Sequence, residues 1–208
     1  VSLPTEPIGS IPRPLALLEA IARSGNSKDP SLDPLYEDAI RDTVRRFKAT
    51  GSPVISDGEQ RKYRNFWTCC VHTRPGGHFH STHGADVDHA ELLSSLFELN
   101  AGSFHIALAG EQDRVRVLKV IRDHRKHEQH AFVGVGSPIA AHIETPEEVC
   151  DRLVKATDYI PVDRLSTTED CGFSPFSDDT SMSRDTAFAK IQARVQGTAL
   201  AARIIEGR

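Results

Sequence analysis

Apolar residues recur along this chain in two periods, and the two periods alternate. EPIGS, residues 6–10, reads as a short strand. After the proline-rich punctuation that follows it, the spacing of Leu15, Leu18 and Ile21 predicts a helix. Asp33-Pro34 marks a second helix start, an N-cap followed by proline, with Leu35, Ala39, Ile40, Val44 and Phe47 on the apolar face. SPVISDGE is a short β-branched run ending in acidic residues, and CCVHT is the next expected strand. A helix follows, capped by Asp88 with Glu91 three residues on, and buries Leu92, Leu93, Leu96 and Phe97. SFHIALA reads as a strand, Asp113 to Arg125 as a helix, and AFVGVGS as a strand. Thr145-Pro146-Glu147-Glu148 gives a helix start with an N-cap, proline at N1 and glutamate at N3. RLSTT is a last strand and EDCGFSPFSDD a loop. The final helix is capped by Ser183 and carries Phe188, Ile191, Val195 and Ala202.

Strands alternating with helices predict an α/β fold with a parallel sheet. About six β/α units are visible. A (β/α)₈ TIM barrel takes about 250 residues, so this chain of 208 residues makes one domain, 1–208, short of a barrel by roughly two units. The formal net charge of −4 supplies no basic field for nucleic acid or an anionic membrane. No apolar run approaches the roughly 20 residues that span a bilayer. No charged-then-apolar leader is seen, so a cytoplasmic location is expected, with Cys69, Cys70, Cys150 and Cys171 as thiols. Neither G-x-G-x-x-G nor a P-loop occurs, which argues against nucleotide binding.

In a parallel α/β protein, functional groups collect at the C-terminal strand ends. Ser10, Asp57, Glu59, His72, Asp170 and Cys171 fall there. Val71 to His89 also holds five histidines in nineteen residues, a density that suggests a metal.

PTEPIGSIPRP, ATGSPVISDGEQ, VHTRPGGHFHSTHGADVDHAELL and TTEDCGFSPFSDDTSMSRDTAFAKI together resemble the cobalamin-independent methionine synthase family. They are most similar to its stand-alone C-terminal-domain relatives, which also resemble epoxyalkane–coenzyme M transferases. The match runs over nearly the whole chain, and IGS, DGE, HT and DCGF arrive in the family's order. The resemblance implies a TIM barrel whose zinc activates a small-molecule thiol. A tetrahedral zinc site takes imidazole and sulfur ligands and keeps one position for the substrate. The bound thiolate then accepts a methyl group from a methylated folate, as in methionine biosynthesis from homocysteine, or opens an epoxide. His72 and Cys171 match family zinc ligands. Ile8, Gly9 and Ser10 match the segment that holds the thiol substrate, as does Asp170 beside Cys171. Glu59 matches the carboxylate that meets its amino group.

The chain departs from the family at several positions. Arg74 stands where a zinc cysteine belongs, and a guanidinium has no lone pair for metal. FHIALAG lacks the intermediate glutamate ligand. The family's catalytic histidine has only a displaced counterpart, His142, so no catalytic residue is assigned. Two β/α units expected between DGE and HT are absent, which places an internal deletion near 67–74. Cys70 and His72 alternate to one face of a strand, so Cys70, His72 and Cys171 form the surviving zinc set. His78, His80 and His83 are either solvent-facing loop residues or substitutes for the lost ligand.

Three functions follow from the resemblance: a zinc-dependent thiol methyltransferase impaired in this chain, a zinc-thiolate transferase acting on an epoxide, or a non-catalytic degenerate barrel. Exposed sheet edges in a shortened barrel would favour a homodimer.

Overall fold

The computed structural model describes residues 2–62 and 89–207. Within them, β1 (Ser103–Ile106), β2 (His130–Gly136) and β3 (Leu165–Glu169) form a parallel sheet in that order. The N-terminal segment joins it beside β3 through one parallel bridge, Thr5 to Thr167. There the Glu6 amide donates to Thr167 O at 3.1 Å and the Thr167 amide to Pro4 O at 2.9 Å. The described helices are α1 (Leu15–Ser24), α2 (Asp33–Thr50), α3 (His89–Leu96), α4 (Arg114–His124), α5 (Pro146–Ala156) and α6 (Arg184–Glu206).

From β1 onward the expected alternation is realised, and the local signals explain where each helix begins. The side chains of Asp113 and Ser183 accept from the amides of Arg116 and Thr186. Thr145 and Glu148 close a full capping box, which satisfies two amides that an α-helix leaves orphaned.

Of about six expected strands, three form among the described residues, joined by the Thr5 bridge, and no closed barrel forms among these residues. EPIGS forms no strand of its own: the bridge residue, Thr5, immediately precedes it, and only the Glu6 amide of the run reaches β3. SPVIS is irregular, with Val54 and Ile55 about two-fifths exposed. A β-branched run becomes a strand only where a neighbour completes its hydrogen bonds. CCVHT and the Asp88 cap lie outside the described residues. The entry to α2 also differs. Asp29, not Asp33, accepts from a turn amide, that of Ser31 at 2.9 Å, and caps a short 3₁₀ turn leading into the helix. Asp33 instead pairs with Arg61 at 2.7 Å.

The core sits between the sheet and its covering helices. Ile106, Ala131, Val133, Val135 and Leu165 meet Leu93, Phe97, Ile121, Val149, Leu153 and Ala201. Full burial of each large aliphatic side chain contributes roughly 1.5–3 kcal/mol. A second cluster joins Ile11, Phe47, Phe173, Phe188 and Ile191, with Phe47 and Phe188 edge to face at 5.3 Å. The face of α1 is rotated from the sequence pattern, whereas α2 buries the expected Ala39 and Phe47 and adds Tyr36 and Thr43. On α1, Leu15 is exposed and Leu17 buried. On α6, Phe188 and Ile191 are buried as expected, but so are Lys190, Arg194 and Thr198, a polar stripe at i, i+4 and i+8.

The opposite face of the sheet carries His105 stacked on Phe132, ring centroids 4.6 Å apart, with Ser166 and Thr168 beside them by register. His105 Nε2 lies 3.0 Å from Glu6 Oε1. These residues belong to the first strand and to the segment beyond the last. In a flat sheet those backbones would be roughly 14 Å apart, three strand spacings. With side chains standing off the sheet, the contact requires that the sheet curl toward this face.

Candidate functional site at the C-terminal rim

Three segments far apart in sequence meet beyond the C-terminal ends of the strands. Gly9 adopts φ +67°, and a Cβ there would stand 2.8 Å from Gly172 Cα. A Cβ at Gly172 would stand 2.5 Å from the Ser10 amide nitrogen. Only two glycines allow this backbone-on-backbone approach. The Phe173 amide donates to Ser10 O at 2.7 Å, and the Ser10 hydroxyl donates to Ser174 O. The Ile11 amide donates to Gly58 O at 3.0 Å, which brings in the DGE turn.

Buried polar side chains complete the lacing. Gln60 Nε2 donates to Ile11 O at 3.0 Å and to Gly58 O at 3.2 Å. The Arg13 guanidinium donates to Gln60 O at 2.8 Å, to Ser177 O at 2.5 Å and to Lys62 O. The Lys62 ammonium donates to Ser174 O. Sequence reasoning did not single out Arg13, Gln60 or Lys62. Their signal was proximity to the IGS and DGE motifs, and their burial is a tertiary property.

Asp170 leans across β2 into the turn after β1. Its Oδ1 accepts from the amides of Leu108 at 2.7 Å and Ala109 at 2.8 Å, and its Oδ2 from Gly110 at 2.7 Å. Gly134 makes room for it, since a Cβ there would lie 1.9 Å from Asp170 Oδ1. Burial pushes the Asp170 carboxyl up from the ordinary carboxylate range, while the three amides pull the other way. With both oxygens engaged by the backbone, Asp170 serves to tie the β3 and β1 rims together beside Cys171.

Of the remaining expected site residues, Ser10 and Cys171 are buried, Ile8 and Gly9 half-buried, and the Cys171 thiol lies 3.6 Å from Gly172 O. Glu59 is exposed on a turn at φ +54°, the Asp57 carboxylate accepting its amide at 2.9 Å. The site therefore sets Ser10 against Gly172, Phe173 and Ser174, directly after Asp170 and Cys171 in the chain, with Glu59 exposed on the DGE turn. His72, Cys70, Arg74, His78, His80 and His83 lie outside the described residues. His142 is exposed and pairs with Glu148 at 2.8 Å. Among the described residues no three His, Cys, Asp or Glu side chains come together to hold a metal ion. Of the expected zinc ligands, these residues provide Cys171 alone. No described helix is long and apolar enough to cross a membrane.

No protein-family model matches the chain, and no curated protein matches it. Among solved structures it is similar to a B12-independent methionine synthase from Shewanella sp. W3-18-1 in complex with selenomethionine. The TM-score is 0.47 and the identity 23%, over 57% of this chain and 31% of that one. The match thus spans less than a third of that protein's length.

Proposed function

We propose that this chain is a methyltransferase-like thiol-binding protein of the cobalamin-independent methionine synthase type, with its methyl transfer impaired. One observation carries the reading: of the motifs whose order suggested the family, IGS is hydrogen-bonded directly to DCGF through Phe173 and Ser10, and DGE is bonded to Ile11, the residue after IGS, at the same rim. The substrate would be a small amino-acid thiol such as homocysteine, and the methyl donor a methylated folate. Backbone groups of Ile8, Gly9 and Ser10, together with the Ser10 hydroxyl, would hold the amino-acid portion. The exposed carboxylate of Glu59 would meet its amino group, and Asp170 would fix the position of Cys171.

Cys171, with His72 and Cys70, would hold zinc. When bound, zinc would lower the pKa of the substrate thiol and favour its thiolate. Arg74 would weaken that site by replacing a thiolate with a permanent cation. Catalysis by proximity requires both partners to be positioned, and the two absent β/α units would have supplied much of the wall facing the thiol.

Metal analysis and homocysteine titration of the purified chain test this reading. Arg74→Cys should raise zinc occupancy, Cys171→Ser should lower it, and Ser10→Ala should weaken homocysteine binding. Methionine formation from homocysteine and methyltetrahydrofolate should stay near background. Full, equal zinc occupancy in wild type and Cys171→Ser would remove Cys171 from the site. Turnover like that of an intact methionine synthase would overturn the impairment.

A further inference from the structure

Helix α6 places Arg194 against the outer face of β3, where its side chain is 1% exposed and that of Glu169 is 0%. Arg194 Nε lies 2.5 Å from Glu169 Oε1, and Nη1 donates to Thr5 Oγ1. Thr5 also accepts from Thr167 Oγ1 at 2.7 Å. Thr167 Oγ1 is 3.0 Å from Thr198 Oγ1, which donates to Arg194 O at 2.7 Å and closes the network on α6.

Stability alone does not account for this arrangement. Glu169 Oε2 and Arg194 Nη2 are buried and find no hydrogen-bond partner among the described residues. Taking two charges out of water can cost more than a single-contact pair returns, and packed apolar residues often replace such pairs without loss. What sets the pair apart is its location. Glu169 immediately precedes Asp170 and Cys171, and Thr5 lies on the segment that leads to Gly9 and Ser10. One guanidinium therefore holds the bases of both segments whose tips meet as Gly9-Ser10 and Gly172-Phe173. A rigid, planar fork with several donors can bridge two acceptors at fixed positions in a way that a point charge cannot.

We propose that Arg194 is a positioning residue: through Glu169 and Thr5 it sets the register between the N-terminal rim segment and the Asp170-Cys171 segment. The pair is retained for rim geometry, and its removal in an apolar form leaves the fold intact while loosening the surroundings of Cys171.

The test needs neither zinc nor homocysteine, so it stands or fails separately from the thiol-binding reading. The full chain is compared with the double variant Arg194→Met/Glu169→Leu and with Thr5→Val. Each is alkylated with iodoacetamide, and the tryptic peptides are followed by mass spectrometry. Cys171 lies on the peptide Leu165–Arg184, and Cys150 on His127–Arg152. Cys150, buried on α5, reports general unfolding, whereas Cys171 reports the rim. Alkylation of a buried thiol follows the population of locally opened states, so the Cys171 rate should rise about tenfold in the double variant and about threefold in Thr5→Val. The Cys150 rate and Tm should hold. A Cys171 rate that is unchanged, or that rises only in step with Cys150, overturns the proposal. If the double variant does not fold, Thr5→Val decides by the same two rates.

Discussion

Between residues 103 and 169, the strand-like runs find parallel neighbours, and their backbone groups pair in a ladder. β1, β2 and β3 pair in parallel, and helices with side-chain caps join them. Between residues 2 and 62 the strand-like runs EPIGS and SPVIS find almost no ladder, and side chains take over. Arg13, Gln60 and Lys62 donate to carbonyls of the rim and the DGE turn, and Ser52 donates to Val54 O at 2.7 Å. The same alternation of apolar and polar residues thus has two outcomes. Where a parallel neighbour exists it becomes a strand with its apolar face buried. Where none is present among the described residues, the run stays irregular, and the segments that follow it, around Ile11 and at 58–62, are held by buried cations and a side-chain amide. The second solution is specific to each residue, because each donor serves named carbonyls and has no equivalent one position along.

The comparison predicts different responses to mutation. Gly134→Ala should have the largest effect. Its Cβ would overlap Asp170 Oδ1, and the displaced carboxylate would leave three amides without their acceptor. Overpacking and lost hydrogen bonds together should cost about 4 kcal/mol in urea unfolding. A loss below about 1 kcal/mol, the level of a single ordinary hydrogen bond, would mean that Asp170 relaxes freely and the rim is not tightly built.

Arg13→Leu should cost about 3 kcal/mol, because several buried carbonyls lose a charged donor. It sharpens the comparison through native-state hydrogen exchange. Amides of residues 9–13 and 58–62 should lose protection first, while those of β2 and β3 keep theirs. Equal loss in both sets would show the two regions to be one cooperative unit. The smallest effect belongs to the exposed run. Val54→Thr with Ile55→Thr should change stability by no more than about 0.5 kcal/mol, as for ordinary surface positions. A loss of core size would show that SPVIS is buried against a partner.

Helix existence and capping were legible because they depend on residues a few positions apart. Thr145 with Glu148, Asp113 and Ser183 act within one turn. β2 was legible for a related reason, since the apolar run AFVGV already matched a buried parallel strand. The apolar face of α1 was misjudged by part of a turn, and on α2 Tyr36 and Thr43 join the expected Ala39 and Phe47. Periodicity names a stripe, but the elements packed against a helix select which residues of that stripe are covered.

By itself the sequence determined the α/β alternation, the starts of α4, α5 and α6, and the chemical identities of the rim residues in IGS, DGE and DCGF. Tertiary structure alone decided that these motifs touch, that Asp170 binds the amides after β1, and that Lys190 and Arg194 are buried on an otherwise amphipathic helix. The physical reason is separation along the chain. The Ser10 hydroxyl meets a carbonyl 164 residues away, and the Arg194 guanidinium meets a hydroxyl 189 residues away. No local preference encodes such contacts. They exist because the sheet curls, the glycines at 9, 134 and 172 leave room, and buried polar groups must find partners once water is excluded.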